Sequence, residues 1–328
     1  MRYIQNNSND PYFNLALEEY AFTKLTEHDK IFILWINAPT VVVGKFQNTV
    51  AEINLKYIEE NGVSVVRRNS GGGAVYHDLG NLNYTIISSE KSTNEFNFEK
   101  FSKPIVDLLA TLQIEAQVTG RNDIGINGKK ICGNAQYIKK NRILHHGCIL
   151  FDVNLEHLQE ALRVSADKIE SKGLKSVRSR VDNISYHLKE AFDNVEFKNR
   201  LLQHMLGENP DMVQYVLSEE EIREIEELRD RKFRSWDWNF GKSPDFTISK
   251  SNRFPAGKIE CFLNVEEGII EDIRFFGDFF SNRDIEDVAK TLIGVRYEKS
   301  ELKSVLTPEL IREYFPGFDY EEVLSCII

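Results

Sequence analysis

No two of the four cysteines, Cys132, Cys148, Cys261 and Cys326, stand in a CxxC spacing. A disulfide framework and a structural zinc site are both argued against. No apolar run approaches the roughly 20 residues that a membrane span needs. The opening stretch, MRYIQNNSNDPYFN, lacks the apolar core of a secretory signal. The expectation is a protein of the reducing cytoplasm with no membrane partner. A basic excess is missing too: 41 Lys and Arg stand against 51 Asp and Glu, for a net charge of −10. A nucleic-acid binder normally carries the opposite sign. There is no internal repeat and no low-complexity segment. Gly241-Lys242-Ser243 looks like the tail of a phosphate loop, but Trp236 occupies the place of its first glycine, and residues 67–78 do not follow the GxGxxG spacing.

What is present suits a globular chain of 328 residues, long enough for two domains, with 41% hydrophobic residues and an aromatic-rich core drawn from 21 Phe and 12 Tyr. Asp10-Pro11 reads as an N-cap followed by proline in the first turn of a helix that carries Phe13, Leu17, Tyr20 and Ala21 on one face. Ile31 to Ile36 and Thr40 to Val43 read as strands split by a turn at Asn37-Ala38-Pro39. A short helix over 54–61, a strand from Val63 to Arg67 and another from Asn83 to Ile87 follow. Residues 98–113 read as a helix with Pro104 near its start. Asn127-Gly128 is a hairpin signal, with partner strands near Ile131 to Ile138 and Ile143 to Val153. Helical patterns dominate from 154 to 232, with a capping box at Ser218 and Glu221. From 246 to 280 the pattern turns to antiparallel strands, with turns at Pro255-Ala256-Gly257 and Glu266-Glu267-Gly268, and two or three helices follow from Asp284. The reading is an α+β chain: a large domain over 1–245 with a mixed sheet and flanking helices, and a small α+β domain over 246–328.

Three segments carry the chemistry. In Arg67-Arg68-Asn69-Ser70-Gly71-Gly72-Gly73-Ala74-Val75-Tyr76-His77-Asp78, three glycines after a strand allow backbone to approach a ligand closely, and free N–H groups there can form an anion nest. Two adjacent arginines add donors for phosphate or carboxylate. In Lys129-Lys130-Ile131-Cys132-Gly133-Asn134-Ala135-Gln136 a lysine stands beside a run of small residues, although a lysine pair alone reads as a solvated hairpin edge. In His145-His146-Gly147-Cys148 the two histidines would point to opposite faces of a strand, so at most one faces a pocket and a shared metal is excluded.

Together these stretches resemble the lipoate–protein ligase A family, of the biotin/lipoate protein ligase superfamily. The matching segments are RRNSGGGAVYHDLGNLNYT (67–85), GRND (120–123), KKICGNAQ (129–136), HHGCILF (145–151), KSVRSRVDNI (175–184) and WDWNFGKSP (236–244), in the family's order and across the whole chain. The resemblance implies a biotin/lipoate-ligase-like catalytic domain with a C-terminal accessory domain. It implies activation of lipoate with Mg-ATP to lipoyl-AMP, with release of pyrophosphate. The lipoyl group would then pass to a lysine of a lipoyl domain, on E2 subunits of 2-oxoacid dehydrogenases or on the glycine cleavage H protein. Carried over by motif, Arg68, Ser70, Gly71, Gly72 and Gly73 would hold the activated acid and its phosphate. Val75, Tyr76 and His77 would lie along the adenylate. Asn81, Gly133 and His146 would join the same site. Lys130 matches the family's functional lysine, Asn122 and Asp123 match a pair lining the site, and Asp123 would contact Mg²⁺ or nucleotide. An apolar acyl chain asks for an apolar tunnel, for which Leu15, Trp35, Val42 and Gly72 are the expected wall.

Two alternatives stay open in the sequence. Cys132 stands where the ligase motif has a small residue, often serine, and could carry an octanoyl or lipoyl thioester for ATP-free amidotransfer. The chain could also bind lipoate without catalysis. Lipoate against octanoate, the acceptor's identity and the need for a partner protein are not legible. Because lipoyl acceptors tend to be acidic, Lys139, Lys140 and Arg142 are expected to help dock them. The 246–328 domain is expected to move during turnover.

Overall fold

The computed structural model describes residues 1–89, 96–120, 122–162, 180–240, 248–266 and 268–328. The expected boundary near 245, Arg121, residues 175–179, the Gly241 to Pro244 end of the tryptophan motif and Glu267 of the second turn lie outside the described residues. Fourteen strands are described. They are β1 (Arg2–Gln5), β2 (Lys30–Trp35), β3 (Thr40–Val43), β4 (Ser64–Arg67), β5 (Val75–His77), β6 (Asn81–Ser89) and β7 (Gln117–Thr119). Then come β8 (Asp123–Ile126), β9 (Lys129–Lys139), β10 (Arg142–Leu150), β11 (Val213–Tyr215), β12 (Ile248–Phe254), β13 (Gly257–Glu266) and β14 (Ile269–Gly277).

They form a mixed eight-stranded sheet in the order β11-β1-β2-β6-β10-β9-β8-β7, a small sheet β4-β3-β5, and a C-terminal antiparallel sheet β12-β13-β14. The turn at Asn37-Ala38-Pro39 therefore hands the chain from the large sheet to the small one, and β2 and β3 do not pair. Asn127 and Gly128 both take positive φ, 51° and 79°, and join β8 to β9 as the Asn-Gly signal requires. Lys140 and Asn141 do the same between β9 and β10, at 49° and 61°.

The first helix, Pro11–Thr23, is capped by Asp10, whose Oδ1 accepts from the Tyr12 amide at 2.9 Å. It is buried well beyond the single face expected of it: Asn14, Leu15, Glu18 and Phe22 join Leu17, Tyr20 and Ala21. The large sheet covers one side, and the segment Glu219–Leu228 with its continuation Arg229–Phe233 covers the other. On the opposite face of the sheet lie the helices Phe98–Thr111 and Asn194–Glu208. Pro104 sits inside the former, away from its start. Burial of Phe101, Ile105, Leu108 and Leu109 against the sheet offsets the roughly 3 kcal/mol cost of an interior proline. No described helix is long and apolar enough to cross a membrane.

Four helices follow β14 among the described residues, and they close a core around Ile259, Leu263, Ile273 and Phe315. This C-terminal unit is seated on the large one. Phe46 and Phe279 stack at 4.8 Å, the Gly277 amide donates to the Phe46 carbonyl at 2.6 Å, and Phe280 packs on Phe98 at 5.4 Å.

Candidate active site

The two arginines that look alike in sequence do different work. Arg67 is a staple. Its Nη1 donates to the carbonyls of Gly44, Lys45 and Gln47, its Nε to the Trp238 carbonyl, and its Nη2 to Thr49 Oγ1 and the Asn239 carbonyl. It holds loops together and is not among the residues that line the cavity of Lys130. Arg68 organises the glycine loop. Its Nε donates to Ser70 Oγ at 3.0 Å, its Nη1 to the Val42 carbonyl at 3.2 Å, and its Nη2 to the carbonyls of Gly71 and Gly73 at 2.7 and 2.9 Å. Four of five guanidinium hydrogens are thus committed to protein oxygens. Burial pulls its pKa down to about 10, against the pull of Cys148 and Glu18, and it stays a cation at neutral pH.

The glycines answer two separate demands. A Cβ on Gly71 would stand 2.2 Å from the Phe279 carbonyl oxygen, and Gly72 adopts φ +93°. The Gly72 amide already donates to that same Phe279 carbonyl, at 3.2 Å. In this arrangement the loop is not an open anion nest.

Across a cavity of about 590 Å³, its mouth included, stands Lys130. Lys130 Nζ pairs with Asp123 Oδ1 at 2.8 Å and lies 2.5 Å from the point a Gly133 Cβ would occupy. A side chain at 133 would therefore displace the lysine. Burial lowers the Lys130 pKa, but Asp123 and the nearby Cys148 raise it by more, so the ammonium is retained. Leu15, Trp35, Val42 and Gly72 line the same cavity, with Gly73, Val75, His77, Asn122 and His146.

Strand alternation decides which neighbours arrive there. On β5, Val75 and His77 face the cavity, while Tyr76 is buried with Val41, Val43 and Val65 on the other side. Tyr76 does not reach the cavity wall, contrary to the motif-based expectation. Neither does Asn81, whose Nδ2 ties β6 to the Ile149 carbonyl at 2.8 Å. On β10, His146 faces the cavity and His145 the opposite face, stacked on Phe101 at 5.2 Å. On β9, Cys132 is fully buried in the core, with Sγ 3.5 Å from Asn134 Oδ1. Burial, then the neighbouring Cys148, hold its thiol well above the ordinary range. Cys132 is not among the residues that line the cavity, which argues against a Cys132 thioester. Arg142 is likewise removed from the expected docking patch: it is buried, donating to the carbonyls of Ala21 and Leu25. Lys139 and Lys140 remain exposed.

Ser70 sits behind the wall in a chain of contacts. Its Oγ is 2.7 Å from His146 Nε2, and His146 Nδ1 is 2.8 Å from Glu18 Oε1, which also accepts from Thr85 Oγ1 at 2.6 Å. Glu18 was not singled out in the sequence, because a carboxylate inside a helical pattern reads as surface. Asn83 and Cys148 were missed as well. Both line the cavity, and the signal was available: Asn83 pairs with Cys148 and Cys148 with Gly133 in one cross-strand row, so the glycine of the lysine motif marks both.

Among the described residues no group of three or more His, Cys, Asp or Glu side chains could hold a metal. Residues 10–206 match the model of the lipoyl protein ligase A/B catalytic domain, and residues 243–327 match that of the bacterial lipoate protein ligase C-terminus. The chain is 44% identical over 330 residues to lipoate-protein ligase LplJ of Bacillus subtilis, covering 100% of both. In structure it is similar to LipL1 of P. falciparum in complex with lipoate, with a TM-score of 0.79, 27% identity, and 99% and 98% of the two chains covered. A lipoate-protein ligase A bound with ATP matches 73% of this chain and 98% of its own, with a TM-score of 0.62 and 26% identity. A lysine set against a glycine and an arginine-braced glycine loop, lining one cavity, thus belong to a chain that is a member of the lipoate–protein ligase family, with both its catalytic and its C-terminal domain.

Proposed function

We propose that this enzyme activates lipoate with ATP to lipoyl-AMP and passes the lipoyl group to a lysine of a lipoyl-domain protein, on E2 subunits, the glycine cleavage H protein or both. The observation that carries the reading is the placement of Lys130 Nζ over Gly133 in the wall of a cavity also lined by Leu15, Trp35 and Val42. The lipoate and ATP bound by the two solved relatives support it.

A carboxylate and a triphosphate repel one another, and Lys130 and Arg68 are cations of the cavity wall that would offset this. Arg68, which also lines the cavity, fixes Ser70 to Gly73 and keeps one hydrogen uncommitted. Val75, His77, Asn122, Gly133 and His146 complete the binding surface in this reading, with Tyr76 and Asn81 supporting it from behind. A magnesium nucleotide brings its own phosphate ligands and needs only one or two protein carboxylates. Asp123 suits that role and would release Lys130 to the substrate when it takes it. The bound cation would supply charge neutralisation at the departing pyrophosphate. The division into a catalytic domain over 1–245 and an accessory domain over 246–328 belongs to the same reading, with the accessory domain covering the adenylate and then exposing it.

The test needs no acceptor. The purified chain is incubated with R-lipoate and Mg-ATP, and bound lipoyl-AMP is sought by mass spectrometry. Adduct is expected in the wild type and in Cys132→Ser, and a loss of at least 100-fold in Lys130→Ala. Lipoate bound with no ATP consumed would make the chain a binding protein and end the ligase reading.

A further inference from the structure

Two buried hydrogen-bond donors on residues that line the cavity have no partner among the described residues: His77 Nε2 and Asn83 Nδ2, on residues 2% and 1% exposed. Buried donors are rarely left unpaired, because each costs about 1–3 kcal/mol of desolvation. Two that face one cavity point to an acceptor atom on its ligand.

That His77 is a donor follows from a run of amides. Asn14 Nδ2 faces the carbonyls of Ser8 and Ile36, which can only accept, so its orientation is set. The same Nδ2 lies 2.8 Å from Asn37 Oδ1. Asn37 therefore turns its Nδ2 to His77 Nδ1, at 3.1 Å, and the imidazole must accept there. Its proton is therefore on Nε2, the nitrogen left without a partner on this cavity-lining residue. Burial, then Arg68 and His146, lower the His77 pKa to about 3, so the ring stays a neutral donor.

The cavity has a polar row and a second row beyond it. Asn83, Cys148 and Gly133 are cross-strand neighbours, and Lys130 Nζ rests on Gly133. One step along the strands, Thr85, His146 and Ala135 form the next row, closed by Glu18. His77 joins the first row through Trp35: the rings are 6.2 Å apart, and Trp35 is the register partner of Asn83. The unpaired donors thus share a row with the lysine.

We propose that His77 Nε2–H and Asn83 Nδ2–H together receive the acyl oxygen of the bound acid and hold the oxyanion of acyl transfer. The inference rests on the acyl-adenylate reading above. The acceptor's amine nitrogen bonds to the acyl carbon while the carbonyl π pair moves onto oxygen, between the two donors. That pair returns as the bond to the phosphate oxygen breaks. AMP leaves with the bonding electrons, and the amine proton passes to water. Neutral donors discriminate in the useful direction, since they gain more from the localised oxyanion than from the carbonyl of the adenylate.

The experiment is single-turnover transfer from supplied lipoyl-AMP, and from octanoyl-AMP, to a lipoyl domain, with lipoate affinity measured separately. Asn83→Leu keeps volume and removes the donor. His77→Leu does the same at the second position, and His77→Gln restores an N–H. Transfer is expected to fall about 100-fold in each Leu variant for both acyl groups, with partial recovery in His77→Gln and lipoate affinity changed less than about fivefold. If one Leu variant fails to fold, as melting will tell, the other decides. Unchanged transfer overturns the proposal. So does a loss confined to lipoate affinity, and a loss with lipoyl but not octanoyl substrate would assign the donors to the dithiolane sulfurs instead. Wild-type enzyme that forms no lipoyl-AMP from lipoate and ATP, yet transfers from supplied adenylate with these losses, would fail the activation reading alone.

Discussion

His145 and His77 are buried on opposite sides of one sheet, and the same device sets both tautomers. Behind the sheet, Gln136 is oriented by the Asn97 backbone, accepting from its amide at 3.0 Å and donating to its carbonyl at 2.8 Å. Gln136 Nε2 is also 2.9 Å from His145 Nδ1, which leaves the His145 proton on Nε2, 3.1 Å from the Tyr84 hydroxyl. Tyr84 in turn donates to Asn134 Oδ1 at 2.6 Å. The chain of donors closes within the protein. On the cavity side the equivalent chain from Asn14 through Asn37 ends at His77 Nε2, with no acceptor among the described residues. A closed network of buried polar groups serves the fold, and one that stops at a cavity wall is waiting for a ligand.

The contrast can be broken at its closed end first. Gln136→Leu leaves His145 Nδ1 and both Asn97 backbone groups without this partner. Urea unfolding is expected to show a loss of about 3 kcal/mol. Adenylate formed per folded molecule should not change; a parallel loss of activity would mean that the two faces are not separable.

Acid tests both histidines at once. His77 has a folded-state pKa of about 3, against 6.5 for the free side chain, and burial moves His145 the same way. The unfolded chain therefore binds protons below pH 6.5 that the folded chain refuses. Stability from these groups is complete above that pH and drains away as the pH falls toward 3. His77 alone should cost about 2 kcal/mol by pH 5, read as a falling urea midpoint. His77→Gln should remove about that much of the slope. A slope unaltered by the substitution would mean that the imidazole is already charged in the folded state.

The smallest expected effect lies far from either histidine. Lys139 and Lys140 stand at an exposed hairpin tip, about 20 Å along β9 from Gly133. Reversing both charges to Glu should slow transfer to an acidic lipoyl domain about threefold and weaken its salt dependence, with adenylate formation unchanged. Transfer kinetics identical to wild type at low salt would remove the hairpin from the docking surface.

Much of this was legible in the sequence, and the illegible part has physical reasons. The glycine loop, the lysine beside Gly133 and the Asn127-Gly128 turn depend on local backbone demands, and local demands leave local signatures. The choice between Arg67 and Arg68 does not: adjacent strand residues face opposite ways, and only the partners across space say which one braces the loop. Cys132 drew attention by its proximity in sequence to Lys130, but it lies in the core while Cys148 lines the cavity, which only the partners across space reveal. β1 and β11 were missed because four and three residues carry no periodicity, and their parallel pairing joins segments more than two hundred residues apart. Glu18 was missed because a buried carboxylate is intelligible only beside His146 and Thr85.

The Gly72 amide has one hydrogen, and the Phe279 carbonyl has it. Any phosphate oxygen that takes that hydrogen does so in competition with the C-terminal unit. A ligand captured through that hydrogen would be negatively coupled to the seating of residues 277–281 through a single atom, and linkage would make the coupling reciprocal. Such an anion would loosen the C-terminal unit by as much free energy as the seated unit subtracts from the anion's affinity.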